Sequence, residues 1–458
     1  MAGGGPISSG SKTSFDPNKN YTLPMAIMCS LFFMIGFITV LNDVLIPSLK
    51  GIFDLKPWQA LLIQFCFFTA YGVTSYPFGI LINKVGYKKG LSIGLGIMSV
   101  GLLGFVPASM AESYVLFLVS LFIVASGLTL LQVAINPYIP ALGRPETAAA
   151  RLNLGGAFNS VATFVGPIIG GWLILDECIV DITEKAAAVR GPYIVLALIG
   201  LIIAGTLFFI KLPEIIEEKQ ANTEGSAWDF LHLRYGALAI FCYVGTEVAI
   251  GSSLILYLSE SPEEGHGGLA ALIESDASSL LAYYWGSAMI GRFIGSVVLQ
   301  KIKAQKALQL VTAVAFVLVA LSMMGFAVDH SLSIPVIKMG TNCDTGLYEF
   351  GFKPVDVPLS GFFLVLVGLM NSIMWPSIFP LGIRGLKEHT SQGSGILVMM
   401  VAGGAIVPLL QGFLVEIMPY RFSFVISLIC YAYLFLFAFK LFKAGKVKAE
   451  YDKEENNG

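Results

Sequence analysis

The sequence predicts an all-α membrane protein of about twelve transmembrane helices, arranged as two six-helix halves. Three observations lead there. First, the 458-residue chain is 56% hydrophobic and only 13% charged, against about 25% charged in a soluble domain. So few charges cannot cover a water-facing surface. Second, about twelve apolar stretches are long enough to span a bilayer. They centre near Met34, Phe68, Ile97, Ile123, Phe164, Leu201, Val248, Ala288, Phe316, Val367, Val401 and Leu434. Third, polar motifs of the first six stretches recur, in order, in the last six.

Taken along the chain, residues 1–22 are polar and rich in Gly and Ser. They lack the apolar core and cleavage site of a signal peptide and read as a disordered cytosolic tail. Residues 23–212 form the first six-helix bundle. Residues 213–231, within the charged run KLPEIIEEKQANTEGSAWDFLHLR, form a cytoplasmic central loop. Residues 232–444 form the second bundle, broken by a polar stretch with several Pro and Gly over Val328–Pro358, and residues 445–458 form a cytosolic tail. With the N-terminus inside, roughly 20 Lys and Arg lie on the cytoplasmic side against about 7 outside, as the positive-inside rule requires. Both termini are therefore expected in the cytoplasm.

The repeat is visible residue by residue. Gln132-Val-Ala-Ile-Asn136-Pro137 in the fourth span is matched by Asn371-Ser-Ile-Met-Trp375-Pro376 in the tenth, and each is followed by Leu-Gly at the same offset. Pro167 with Gly170-Gly171 in the fifth span is matched by Pro408 with Gln411-Gly412 in the eleventh. Asn42-Asp43 in the first is matched by Thr246-Glu247 in the seventh. Parallel repeats of this kind build transporters, with the site expected at midplane where the halves meet.

Two acids stand out. A carboxylate at the bilayer centre costs roughly 2.5–3.5 kcal/mol even on lenient insertion scales. Asp43, inside GFITVLNDVLIP, either meets water near an outer helix end or faces a central cavity. Glu247, inside FCYVGTEVAIGSS, either pairs with Arg292 or takes up a proton or cation. Na⁺, as a hard ion, would be held by carboxylate and carbonyl oxygens at Asp43 or Glu247. The amides Asn42, Gln64, Gln132, Asn136, Asn159 and Asn371 are each expensive in lipid and must find partners. Singly, such an amide is interhelical glue. Together, groups that both donate and accept suit an uncharged, polyhydroxylated ligand. Tyr284, Trp285 and Trp375 supply flat apolar faces for a sugar ring or for ordinary packing. Mid-depth basic residues are nearly absent, which argues against an anionic substrate.

The segment Gly79-Ile-Leu-Ile-Asn83-Lys84-Val-Gly86-Tyr-Lys88 resembles the loop signature of the major facilitator superfamily, with Asn83 in place of the usual acid. Its expected role is gating, carried by Gly79, Asn83, Lys84 and Lys88. The set GFITVLNDVLIP, LLQVAINPYIPALG, RLNLGGAFNSVATFVGPIIGG, YVGTEVAIGSSL, YYWGSAMIGRFIGS and GLMNSIMWPSIFPLGI resembles the fucose–galactose–glucose:cation symporter family within that superfamily. The resemblance implies the superfamily's fold, alternating access, and hexose import driven by H⁺ or Na⁺. It places Asp43 in the coupling and substrate region. It also shows Gln132 where fucose-type members carry a proton-coupling acid, and YVGTEVAIG is similar to glucose/galactose-type members.

The expectation is a bacterial inner-membrane symporter for glucose, galactose or mannose. Its alternatives are a fucose or amino-sugar proton symporter, a proton-driven drug exporter and a non-transporting sugar sensor. Its partners are a small neutral sugar, H⁺ or Na⁺ and membrane lipid, with no nucleic acid, and it is expected to act as a monomer. No enzyme is indicated. There is no phosphate-cradling loop, and His232, His266, His330 and His389 stand apart without metal spacing, so no cofactor is expected. Cys29, Cys66, Cys242 and Cys430 read as small apolar residues within helices. A bond between Cys178 and Cys343 requires both loops to face an oxidising space.

Overall fold

The structure is a computed structural model. It describes residues 21–143, 148–175, 178–179, 181–210, 226–261, 267–299, 302–341, 345, 348–386 and 389–445. Residues 1–20, most of the central loop and the end of the C-terminal tail lie outside this set, as does the side chain of Asn83.

In lipid every backbone N–H and C=O must be satisfied within its own segment, so long apolar runs become helices. We number the spans α1 (Thr22–Phe53), α2 (Leu62–Val85), α3 (Tyr87–Met110), α4 (Tyr114–Ala141), α5 (Ala148–Ile174) and α6 (Arg190–Phe209). They continue as α7 (Leu231–Ser259), α8 (Glu274–Val298), α9 (Ala304–Ser322), α10 (Leu359–Asn371 then Met374–Ile383), α11 (Thr390–Met399, a 3₁₀ turn, then Gly403–Ile417) and α12 (Val425–Phe439). Among the described residues ten helices are long and apolar enough to cross a bilayer, or eleven if the two pieces of α10, bent by 40°, count as one span. The remaining span is α8. At 25 residues it is long enough, but Glu274, Ser275, Asp276, Ser278, Ser279, Ser287 and Arg292 make it the polar one.

The chain divides into two compact units. The first holds 1–55, 66–221 and 339–349; the second holds 56–65, 222–338 and 350–458. In the first, α1 packs on α5, and α3 packs on both α4 and α6. The α3–α4 seam is close because it is lined by small residues. A Cβ on Gly127 would lie 2.4 Å from the Met98 backbone nitrogen, and one on Gly101 would lie 2.5 Å from that of Val124. Small residues at such crossings let backbones approach and add dispersion contacts where lipid supplies no hydrophobic drive.

In the second unit α7 is the hub, packed by α8, α10, α11 and α12. Of its most apolar stretch, 89% is buried inside the protein, the largest share among the ten helices long and apolar enough to cross a bilayer. Residues 56–65 group here because Trp58 stacks on Phe413 of α11 at 5.2 Å and 16°. Gly412 beside it leaves room for the Trp58 backbone.

The stretch Val328–Pro358, expected as a polar loop, is instead largely a β-hairpin of β1 (Ser331–Thr341) and β2 (Tyr348–Pro358). Pro335 and Pro354 obscure it in the sequence, since proline removes a ladder donor. In a two-stranded sheet both strands are edges, so each proline is tolerated. The hairpin is seated on α8. Ser279 donates to the Ile337 carbonyl at 2.8 Å, Tyr283 donates to the Pro335 carbonyl at 2.6 Å, and Lys353 pairs with Asp276 at 2.9 Å. Its neck closes where the Leu359 N–H donates to the His330 carbonyl at 2.8 Å.

Cys29, Cys66, Cys242 and Cys430 are free thiols, whereas Cys178 is disulfide-bonded. Cys343 lies outside the described residues.

Two outcomes follow from this packing. Gly127→Leu should overpack the α3–α4 seam by about 1–3 kcal/mol, lowering the unfolding temperature of detergent-purified protein; an unchanged midpoint would show that the seam yields. Peptide mapping without reduction should recover Cys178 cross-linked to the peptide bearing Cys343, the one cysteine of six outside the free four. Recovery of an alkylated Cys178 would contradict this.

Candidate functional site

The second unit gathers polar groups around Glu247, in the middle of α7. Glu247 is only 8% exposed, and its Oε1 makes no hydrogen bond. Tyr243, one turn earlier on α7, hydrogen-bonds the Glu247 side chain, and the Arg292 guanidinium of α8 lies within electrostatic reach of it. Three further bonds run outward through fully buried residues. Tyr284 of α8 donates to the Glu247 backbone carbonyl at 2.9 Å. Asn371 of α10 donates from Nδ2 to the Tyr284 hydroxyl at 3.0 Å. Tyr431 of α12 donates to Asn371 Oδ1 at 2.8 Å.

Local sequence explains this convergence. α8 and α10 touch so closely that a Cβ on Gly368 would lie 2.2 Å from the Tyr284 carbonyl, so only glycine lets Asn371, a turn later, reach the Tyr284 hydroxyl. Asn371 also ends the first half of α10, and the helix restarts at Met374 after the bend. Broken spans of this kind put backbone polar groups at ligand sites in transporters. Gly251 leaves space beside the Trp285 ring, 3.3 Å from where its Cβ would stand.

Unpartnered atoms mark what the cluster is for. Glu247 Oε1 and Trp285 Nε1 are both buried without a hydrogen-bond partner. Each such atom costs about 1–3 kcal/mol, and native proteins carry few of them. An acceptor–donor set beside the Tyr284–Trp285 pair, whose rings meet edge-on at 5.1 Å and 76°, can receive a ligand that offers both hydroxyls and an apolar face. Trp375, half-buried, stacks on Phe379 at 5.7 Å and 23°. Gln64, in the same unit, is buried at 2% exposure.

The first unit holds the other sequence-predicted residues. Asn42 and Asp43 are buried on α1, at 2% and 4% exposure, and Asn42 Nδ2 has no partner. Gln132 Nε2 donates to the Tyr71 hydroxyl at 3.1 Å. Asn136, a turn further along α4, is exposed. Asn159 Nδ2 donates to the Phe32 carbonyl at 3.1 Å, and Gly36 makes room for that amide; this ties α5 to α1. In the gating segment, Gly79 and Lys84 lie on α2, with Lys84 exposed. Lys88 donates to the Phe208 carbonyl at 3.2 Å, capping the end of α6.

Sequence reasoning missed Tyr243, Tyr71 and Tyr431. Tyr243 was findable, since it stands four residues before Glu247 and so shares its helix face. Tyr71 and Tyr431 gave no such signal. Among the described residues no three His, Cys, Asp or Glu stand together as metal ligands.

Residues 27–401 match the Major Facilitator Superfamily. The chain belongs to the major facilitator superfamily. It is 42% identical over 438 residues to a glucose/galactose transporter of Brucella abortus, covering 95% of this chain and 98% of that one. It is 37% identical over 435 residues to a putative glucose/galactose transporter of Helicobacter pylori, covering 92% and 97%. A solved structure of the Escherichia coli fucose:proton symporter superposes with a TM-score of 0.65 at 29% identity, covering 92% of this chain and 98% of that one. These relatives bear out the resemblance read from the sequence motifs, and with it the twelve-helix, two-half fold. Superfamily and relatives alike are membrane transporters, not enzymes.

If Asn159 serves as an interhelical clamp, Asn159→Leu should cost about 1 kcal/mol, the worth of one hydrogen bond between membrane helices. A thermal midpoint equal to that of the unsubstituted protein would remove the clamp.

Proposed function

We propose that this chain imports a neutral hexose, glucose or galactose, across a bacterial inner membrane by symport with protons, acting as a monomer with both termini in the cytoplasm. The observation that carries the reading is the buried Glu247 carboxylate, with one free oxygen, in a unit where the Trp285 indole N–H is also buried and unpartnered. The relatives named for glucose/galactose transport and fucose:proton symport support the same substrate class.

The mechanism follows from charge. An ionised carboxylate cannot be closed away from water cheaply, whereas a protonated one can. Glu247 therefore takes up a proton before the site closes and returns it on the other side. Asp43 on α1 is the second acid of the cycle. Sugar hydroxyls satisfy the unpartnered atoms, so binding favours the closed form in which water is excluded. Substrate and proton each remove part of the cost of closure, and that shared saving is what couples them in alternating access.

Protons suit this site better than Na⁺. A hard cation wants several oxygen ligands, whereas one of the two groups acting on the Glu247 side chain is the Arg292 guanidinium, which has no lone pair to offer.

The test is uptake of labelled glucose and galactose into proteoliposomes, with a pH gradient and a Na⁺ gradient imposed separately. Accumulation should follow the pH gradient and be abolished by Glu247→Gln. Accumulation on the Na⁺ gradient alone would overturn proton coupling, and no uptake under either would overturn the hexose assignment.

A further inference from the structure

We propose that Tyr431, on α12, is a positioning residue that anchors the Asn371 amide of the site and with it sets sugar affinity. The inference rests on the hexose reading above.

The Glu247 backbone carbonyl can only accept, so Tyr284 must donate to it. With its proton spent there, the Tyr284 oxygen serves Asn371 only as an acceptor, so Asn371 must turn its NH₂ towards α8. The amide oxygen then faces α12, where Tyr431 donates to it. Every bond in the chain has one allowed direction. Tyr431 closes it by holding the one acceptor that Asn371 possesses.

Burial makes the lock effective. Tyr284, Asn371 and Tyr431 are all 0% exposed, so water cannot replace a lost partner. Without the Tyr431 hydroxyl the Asn371 oxygen is orphaned. The amide still faces its NH₂ to Tyr284, but it is held at one end only. The phenol beside Trp285 is then held less firmly. With the lock intact, Asn371 presents only N–H groups on its α8 side, so any sugar hydroxyl it meets there must accept.

Nothing else about α12 signals this role. Ile429, Phe435, Leu436 and Phe439 are exposed along it, as on a helix facing lipid. Tyr433, two residues on, supplies a control, because its hydroxyl donates to the Tyr235 carbonyl of α7 at 3.0 Å, outside the chain of bonds.

The experiment is hexose counterflow in proteoliposomes, which reads sugar affinity without a cation gradient. Tyr431→Phe should raise the half-saturating glucose concentration about tenfold, as expected for orphaning one buried acceptor. Tyr433→Phe should leave it unchanged. Asn371→Ala should raise it too, and adding Tyr431→Phe to Asn371→Ala should change nothing more, because the tyrosine acts through the amide. An unchanged Tyr431→Phe, an equal effect of Tyr433→Phe, or additive effects in the double variant would each overturn the proposal while leaving hexose transport intact. No counterflow by the unsubstituted protein would instead overturn the hexose reading and this inference with it.

Discussion

A carboxylate held inside a membrane helix is the constraint on which the second unit is built. Placing Glu247 near the middle of α7 carries a cost of roughly 2.5–3.5 kcal/mol even by lenient insertion scales. The surroundings respond to that cost. α7 is packed by α8, α10, α11 and α12, and the acid is buried among them at 8% exposure. Tyr243 and Arg292 bring a donor and a charge to it. α8 brings Arg292 and Tyr284 to the acid, and α10 is broken just past Asn371. Even so, the acid is not fully satisfied, since Oε1 keeps no partner. A purely structural acid would be paired off completely, whereas a working one must have something left to bind.

The two units divide the polar groups unevenly. In the first, Gln132 and Asn159 are engaged with Tyr71 and with the α1 backbone, while Asn42 keeps a free donor beside Asp43. In the second, Glu247 and Trp285 are among the residues that keep a buried unpartnered atom. Clamped amides give rigidity and orphaned atoms give affinity, and Asn371 is clamped in the second unit as Gln132 and Asn159 are in the first. The seating of the hairpin on α8 adds to this, because Tyr283, which holds the hairpin, precedes the Tyr284 that holds the site.

Much of this was legible in the sequence, for a physical reason. Asn42, Asp43, Glu247 and Asn371 are conspicuous because a polar group in an apolar run is costly and must be explained. The twelve spans were legible because hydrocarbon thickness fixes their length, α8 included despite its polarity. Tyrosine escapes this logic. Its ring reads as apolar, so Tyr71 and Tyr431 looked like packing, and only coordinates reveal where their hydroxyls donate. The hairpin escaped for the opposite reason, since Pro335 and Pro354 argue locally against a strand that its seat on α8 nevertheless supports. The break in α10 was marked only by Pro376, which does not by itself say where a helix bends.

The central claim is that protons enter with the sugar and that Glu247 carries them. The most direct measurement is the pH of a lightly buffered suspension of de-energised cells or vesicles when galactose is added. The account predicts a transient alkalinisation of the medium, absent from Glu247→Gln protein and indifferent to external Na⁺. Galactose entry with no change in external pH, or alkalinisation that persists in Glu247→Gln, would contradict it.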